Sequence, residues 1–248
     1  NVVRPGRLAF IAGSSHLHLG LSEKEFHAPG IFGGFPDAVT PGLFAVEGGQ
    51  ISTGSILKWF RDHFCGDARE EARSLGIDTY ALLDKKAGSL PLGSEGLIVL
   101  DYWQGNRTPW VDPDARGTIW GLSLAHKPEH VFRAIIEGIA YGTELIFQNF
   151  SKNGFEFDEI IACGGPTKSK FWMQVHADVS GRPILFPEIV QAPTLGSAIL
   201  AAVGAGLYSN IAEASDHMVH FKSRLEPDLE RHETYKFFFD KYVKTYEQ

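Results

Sequence analysis

The chain has 248 residues, 44% of them hydrophobic and 12% aromatic, which is enough apolar material for the core of one large domain. Its formal net charge of −7 argues against a nucleic-acid partner, because phosphate contacts require a basic surface. The two cysteines stand in no metal or redox spacing, which argues against structural zinc and favours the reducing cytoplasm. The least polar stretch, residues 194–208, is too short to cross a bilayer, so no membrane partner is expected.

Taken in chain order, the hydrophobic pattern predicts a meander of strands followed by alternating strands and helices. The predicted strands are 8–12, 17–21, 44–47, 96–102, 159–163 and 183–186, and the predicted helices are 51–64, 67–88, 128–150, 168–180, 194–207 and 235–246. The glycine- and proline-rich stretches 28–42 and 104–116 are predicted to be loops. This mixture indicates an α/β fold in which helices flank a mixed central sheet.

The first candidate site is the turn Gly13-Ser14-Ser15, which joins the first two predicted strands. A glycine beside two hydroxyls can offer backbone N–H and O–H donors to phosphate oxygens. An ordinary tight turn would explain the same residues, so the turn by itself does not decide between the two interpretations.

The second candidate is Gly54, which falls inside the predicted helix 51–64. Glycine in a helix interior costs about 1 kcal/mol relative to alanine, so its presence there requires an explanation. Close approach of a ligand or of another backbone is one explanation, and tight packing against a neighbouring helix is the other.

The third candidate is the segment 160–169, where a buried strand ends on Gly164-Gly165 and a helix follows. A flat ring or a phosphate could lie there against bare backbone, near the positive N-terminus of the helix. The segment matches neither the P-loop nor the Gly-x-Gly-x-x-Gly fingerprint, and a simple strand-to-helix turn is the alternative.

Longer stretches around these turns resemble the FGGY family of carbohydrate kinases. The most specific match is Gly117-Thr-Ile-Trp-Gly-Leu, seven further residues, and then the run from His130 to Glu137, which fits the second signature pattern of that family. The segments 164–184 and 192–202 resemble its adenosine-binding strand and helix and its small-residue helix, and Gly105-Asn-Arg107-Thr-Pro109 resembles a loop of pentulose kinases. The resemblance runs from about Leu8 to the C-terminal tail.

This resemblance implies an actin-like ATPase (ribonuclease H-like) fold for the whole of residues 1–248, as the C-terminal nucleotide-binding domain of a two-domain kinase. The cofactors it implies are ATP and Mg²⁺, and the implied partners are a small-molecule sugar and the N-terminal sugar-binding domain of the same protein, with a homodimer left open. Family members carry the catalytic aspartate late in the first domain. We therefore expect no catalytic residue in this chain, a base upstream of Asn1, and no activity from this fragment alone.

The resemblance also assigns individual residues. The nucleotide-binding positions it implies are Gly13, Ser14, Ser15, Gly54, Lys58, Gly164, Gly165 and Ser169. Ser169 stands where glycerol kinases carry asparagine, and Lys168 beside it has no counterpart in the motif. His16, Leu17 and Arg107 are the candidate contacts to the sugar, although Arg107 and Asp101 would equally serve to fix the loop by an ion pair.

His16 and His18 alternate on a strand and so share one face, but no cysteine or carboxylate stands in ligand spacing beside them. No metal site is therefore expected.

The leading functional hypothesis is an ATP-dependent carbohydrate kinase that phosphorylates a pentulose or a related ketose or polyol. The alternative is an actin-like nucleotide-binding module without kinase activity, which would act as a sensor or as a partner-binding domain, because a fold alone does not fix function. A third hypothesis is an acidic scaffold in which the glycines form turns and bind nothing.

Overall fold

A computed structural model describes residues 1–246 of the chain. The strands are β1 (Gly6–Ala12), β2 (His16–Ser22), β3 (Phe32–Pro36), β4 (Phe44–Gln50), β5 (Ile98–Leu100), β6 (Thr118–Trp120), β7 (Phe157–Cys163), β8 (Ile184–Pro187) and β9 (Phe221–Leu225). The helices are α1 (Gly54–Phe64), α2 (Gly66–Leu75), α3 (Thr79–Gly88), α4 (Pro128–Lys152), α5 (Lys170–Ser180), α6 (Ala192–Gly204), α7 (Ile211–Met218) and α8 (Leu229–Tyr246). Short 3₁₀ turns cover Ser94–Gly96 and Gly165–Lys168.

Seven strands form the main sheet in the order β3-β4-β2-β1-β7-β8-β9, and β5 and β6 form a separate hairpin. The central strands β1, β7 and β8 are parallel, whereas β1 to β4 and the pair β8–β9 are antiparallel. This arrangement confirms the predicted mixed sheet. Because parallel strands end at the same edge, the C-terminal ends of β1 and β7 lie side by side, which brings the first and third candidate segments together.

The two faces of this sheet are covered differently. Leu8, Phe10 and Ala12 of β1 belong to the main hydrophobic core, together with side chains of α4, α5 and α8. Helix α4 is buried along most of its length, as expected for a helix that is apolar on several sides. On the opposite face, α6 and α7 pack against each other around a small separate cluster that includes Ile199 and Val219.

The C-terminal helix α8 is attached to this core by buried tyrosines. The Tyr242 hydroxyl donates to the Asp101 carboxylate at 2.7 Å, and Gln50 donates to the other oxygen of that carboxylate, also at 2.7 Å. Burial raises the pKa of Asp101 to about 6. Nearer the start of α8, the Tyr235 hydroxyl donates to Glu137 at 3.0 Å. Asp101 is therefore an architectural residue here, and its partners are Gln50 and Tyr242, not the expected Arg107.

Several local predictions were wrong, each for a tertiary reason. Residues 32–36 of the predicted loop 28–42 form β3, which gains its hydrogen bonds by pairing with β4. The predicted helix 67–88 is two helices, because Gly76 adopts a left-handed conformation (φ 66°) that ends α2. The strand 96–102 is reduced to β5, and β6, α7 and β9 had not been predicted. Within residues 1–246, no helix combines the length and apolarity needed to cross a membrane.

Candidate functional site

The turn between β1 and β2 is held against the start of α1 by a set of backbone hydrogen bonds. The N–H groups of Thr53 and Ser55 donate to the Ser14 carbonyl at 2.9 and 3.2 Å, and the Gly54 N–H donates to the Gly13 carbonyl at 3.2 Å. The Ser55 hydroxyl adds a bond of 2.9 Å to the Ser14 carbonyl. The Gly13 and Ser14 carbonyls are thus used by α1, whereas the N–H groups of Ser14 and Ser15 take part in no backbone hydrogen bond within residues 1–246.

This contact explains Gly54. A Cβ atom on Gly54 would lie 2.4 Å from the Gly13 carbonyl oxygen, a distance that no side chain tolerates. The glycine is therefore required by the approach of another backbone, which is one of the two explanations that the sequence left open. The first two candidate segments form one structural unit.

The third segment supplies the facing wall. Gly164 has a φ of 104°, and a Cβ atom there would lie 1.9 Å from the Ala12 carbonyl oxygen, so β7 packs closely against β1 at this point. Gly165, in contrast, has no atom within 4 Å of a hypothetical Cβ and faces open space. Ser169 caps α5, since its hydroxyl accepts a hydrogen bond from the Trp172 N–H at 3.0 Å.

A cavity of about 820 Å³ lies between these walls, within the range of small-molecule sites. It brings together six of the eight nucleotide-binding positions implied by the resemblance: Gly13, Ser14, Gly54, Lys58, Gly165 and Ser169. Polar backbone forms the end of the cavity at the turn, and Leu57, Phe132 and Trp172 give the remainder an apolar lining.

Two of the eight positions do not line this cavity. Ser15 lies exposed at the tip of the turn, where its carbonyl accepts a hydrogen bond from the Gly13 N–H at 2.9 Å. Gly164 borders a different, apolar groove on the opposite face of the sheet. Their contact with a nucleotide stays a prediction.

Other residues of the cavity were given no role from the sequence. They are Ser55, Leu57, Arg61, Asp78, Tyr80, Ala81, Asp84, Phe132, Pro166, Lys168 and Trp172. The Arg61 guanidinium lies 4.8 Å from the centre of the Tyr80 ring and pairs with Asp62. The spacing of Tyr80 and Asp84 at i and i+4 shows that they share a helix face. That spacing does not reveal which surface the face meets, so the sequence signal was incomplete.

The three candidate sugar contacts occupy different environments. The His16 side chain is only 1% exposed and packs against Phe10 and Trp172, which argues against direct contact with a sugar in this chain. Leu17 is half-buried beside Gly49. Arg107 forms an ion pair with Glu47 and covers the Phe32 ring at 4.5 Å, so the loop is fixed by an ion pair, but with Glu47 and not with Asp101.

His16 and His18 do share one face, as predicted, and they meet His176 in the core. The ring nitrogens of His16 and His18 have no hydrogen-bond partner within the described part of the chain. Burial lowers the pKa of His18 and of His176 to about 3 and lowers that of His16 well below its ordinary value. No group of three or more His, Cys, Asp or Glu residues among 1–246 has the geometry to hold a metal ion.

Comparison with known proteins supplies the family. Residues 8–205 match the model for "FGGY family of carbohydrate kinases, C-terminal domain". The chain belongs to this family. Its segment is the C-terminal one, and the resemblance seen in the sequence is confirmed.

The relatives include a ribulokinase from Bacillus licheniformis, which is 41% identical over 229 residues that make up 90% of this chain and 42% of that protein. Among solved structures, a xylulose kinase from Rhodospirillum rubrum is 28% identical with a TM-score of 0.86 and is matched over 100% of this chain and 48% of its own. A gluconate kinase from Lactobacillus acidophilus gives a TM-score of 0.85 at 26% identity, covering 99% of this chain and 48% of its own. The chain thus spans less than half the length of these relatives, and the expected actin-like fold is confirmed.

Proposed function

We propose that this chain is the nucleotide-binding half of an ATP-dependent carbohydrate kinase that transfers the γ-phosphate of ATP to a hydroxyl of a sugar. The observation that carries the proposal is the single cavity of about 820 Å³ into which the β1–β2 turn, the start of α1 and the segment 165–169 all converge. These three segments are far apart in the sequence, and packing of β1 beside β7 is what joins them.

The turn is the proposed phosphate end of the site. Its carbonyls are held by α1, whereas no hydrogen bond within residues 1–246 uses the N–H of Ser14 or Ser15. N–H groups that are not engaged within the turn, together with the serine hydroxyls, suit phosphate oxygens, and such donors would stabilise charge on a phosphoryl group during transfer. Lys58, one turn into α1, adds a positive charge along the same wall.

The residues present do not form a magnesium site by themselves. The two carboxylates that line the cavity, Asp78 and Asp84, belong to the cap and body of α3 and not to the phosphate turn. Mg²⁺ commonly binds through substrate phosphates and one or two carboxylates, so the metal would have to enter with ATP or be held from outside this chain.

The catalytic base is also proposed to come from outside this chain, from an N-terminal sugar-binding domain. In support, the relatives are more than twice as long as the matched segment. The sheet face that carries Ile11 leaves an apolar groove of about 710 Å³, and Ile11 and Leu200 there are 42% and 59% exposed. A large apolar surface of this kind suits burial by a second domain. A homodimer and a cytoplasmic location stay predictions.

The proposed sugar is a pentulose or a related ketose or polyol, supported by the names of the ribulokinase and xylulose kinase relatives and by the Gly105–Pro109 loop. A phosphorylation screen of the complete enzyme against pentuloses, hexuloses and polyols tests it. Phosphorylation of none of them would favour the alternative, a nucleotide-binding module without kinase activity.

A substitution at Gly165 tests the nucleotide site without disturbing the fold. Gly165→Val places two methyl groups in open space that belongs to the cavity, so the complete enzyme should show a KM for ATP raised about tenfold or more with the KM for sugar unchanged. Gly66→Val is the matched control, because that glycine also faces open space but lies outside the cavity. A change in the KM for sugar alone would show that the cavity is assigned to the wrong substrate.

A further inference from the structure

One wall of the cavity is formed by a tryptophan that is fixed from the interior of the protein. Trp172 lies in the first turn of α5, borders the cavity and is otherwise buried. Its indole N–H donates to Nε2 of His176 at 3.0 Å, one helical turn farther along α5. Because the N–H is used in the interior, the part of the ring that borders the cavity is hydrocarbon, which suits the apolar surface of a nucleotide.

His176 accepts this hydrogen bond in an apolar part of the core. The side chain is buried, and the rings of Phe10 and His16 lie 5.0 and 5.5 Å from it. Burial lowers the pKa of His176 to about 3, so the ring is neutral at pH 7 and Nε2 is available as an acceptor when the proton is on Nδ1.

The other ring nitrogen of His176 indicates why a histidine stands here. Nδ1 has no hydrogen-bond partner within residues 1–246, although it is buried. A buried polar atom without a partner is unfavourable, and an apolar side chain would fill the same place without that penalty. The hydrogen bond from the Trp172 indole is therefore what the histidine supplies and an apolar residue could not.

The same buried cluster reaches the turn between β1 and β2. His16 is the first residue of β2 and directly follows Ser15. Its ring lies 5.9 Å from the Trp172 ring. Neither His16 nor His176 lines the cavity, so both contact Trp172 from the interior side. The wall formed by Trp172 and the phosphate turn thus share one layer of buried side chains.

Removal of the acceptor would change the position of the tryptophan. Without an acceptor at residue 176, the indole N–H would be left unpaired in the core, which is unfavourable. The cavity is the open space that Trp172 borders, so a turn of the ring toward it would bring the N–H to water. The turned ring would then occupy space that the nucleotide requires.

We propose that His176 is a positioning residue of the nucleotide site, which accepts the hydrogen bond of the Trp172 indole and thereby holds that ring in the cavity wall and keeps the cavity open. This inference rests on the proposed nucleotide site. It adds to that site a residue that does not touch the nucleotide, and it gives a role to one of the three buried histidines.

The test is calorimetric titration of the complete enzyme with ADP in the presence of Mg²⁺. His176→Leu keeps an apolar side chain in the core but removes the acceptor, so the dissociation constant for ADP should rise about fivefold or more. His176→Gln retains an amide oxygen that can accept from the indole, and its affinity should stay within about twofold of the wild type. His18→Leu is the matched control, since His18 is also a buried histidine of the cluster but has no hydrogen bond to Trp172.

A double-mutant cycle separates positioning from general damage to the core. Trp172→Phe keeps an aromatic ring in the wall but has no N–H, so adding His176→Leu to it should change the ADP affinity by no more than about twofold. Damage to packing alone would weaken ADP binding by the same factor in both backgrounds. Urea unfolding checks that each variant is folded. If His176→Leu does not fold, His176→Asn replaces it, because asparagine carries the amide of His176→Gln on a side chain too short to reach the indole.

The outcomes separate this inference from the proposed function. Wild-type affinity in folded His176→Leu or His176→Asn, an equal loss in His176→Gln, or an equal loss in the Trp172→Phe background would overturn the role of His176 and leave the nucleotide site intact. Failure of the wild-type enzyme to bind ADP at millimolar concentration would overturn the nucleotide site itself, and this inference with it.

Discussion

The two faces of the seven-stranded sheet differ in how completely this chain covers them. On one face Phe10 is 1% exposed beneath α4 and α5, whereas Ile11, the next residue of the same strand, is 42% exposed on the other face. The first face is also joined by buried polar contacts to α8. The difference indicates that the first face, called the closed face below, carries the stability of the chain. The open face, which bears the Ile11 groove, contributes less to the stability of this chain.

The largest expected effect lies on the closed face. Arg133 and Glu137 form an ion pair at 2.8 Å, and their side chains are 4% and 1% exposed. Glu137→Ala leaves the Arg133 charge buried without its partner, so the free energy of unfolding should fall by about 3–5 kcal/mol in urea titration. The exposed pair Arg73–Glu70 provides the control, since Glu70→Ala should cost about 1 kcal/mol or less. Equal costs would show that burial of the Arg133–Glu137 pair does not set its contribution to stability.

The histidine cluster of the closed face should make the chain sensitive to acid. His18 stays neutral in the folded state down to a pKa of about 3, whereas the unfolded chain takes up the proton near pH 6.5. The unfolded state therefore binds more protons between these values, and stability falls by about 1.4 kcal/mol per pH unit as pH drops through that window. The carboxyls of Asp101 and Glu144 have the opposite effect on stability. Burial raises their pKa values in the folded state to about 6 and about 7, so the folded state binds more protons there and stability rises as pH drops through that range.

A variant isolates the histidine contribution from these carboxylates. His18→Leu removes one titrating group without breaking a side-chain hydrogen bond, so stability at pH 7 should change little. Below pH 6.5 the variant should lose about 1.4 kcal/mol per pH unit less than the wild type, measured by urea unfolding across pH 4–7. Parallel pH profiles for the two proteins would show that His18 is not held neutral by burial.

The smallest expected effect lies on the open face. Leu200 is 59% exposed in this chain, so Leu200→Lys should change its stability by about 0.5 kcal/mol or less. In the full-length protein the same substitution should lower the melting temperature or the activity, because the proposed second domain covers this surface. Leu124→Lys, at a fully exposed loop residue, should be silent in both proteins. If Leu200→Lys were also silent in both, the groove would not be a domain contact.

Much of the fold could be predicted from the sequence because local patterns determine it. The alternation in β1 and β2 and the long periodicity of α4 predicted these elements within a few residues. The elements that were missed depend on distant partners. Strand β3 contains Gly33 and Gly34 and has little strand propensity of its own, so only its register with β4 makes it a strand.

The candidate site divides in the same way. Glycines at turns mark the places where backbone must approach backbone. The candidate glycines Gly13, Gly54, Gly164 and Gly165 could therefore be identified from the sequence. The sequence did not show why each glycine is required. A side chain on Gly164 would clash with the Ala12 carbonyl oxygen and one on Gly54 with the Gly13 carbonyl oxygen, whereas Gly165 faces only the cavity. Asp84 and Tyr80 were missed because no local signal states which helix face meets a pocket.

The most direct test of the central claim is calorimetric titration of this chain with ADP in the presence of Mg²⁺. The cavity between the β1–β2 turn and Gly165 predicts saturable binding to one site per chain, weak because a single domain cannot close over the nucleotide, and weaker again in Gly165→Val. No binding at millimolar ADP, or equal binding by the wild-type chain and Gly165→Val, would contradict the assignment of this cavity to the nucleotide.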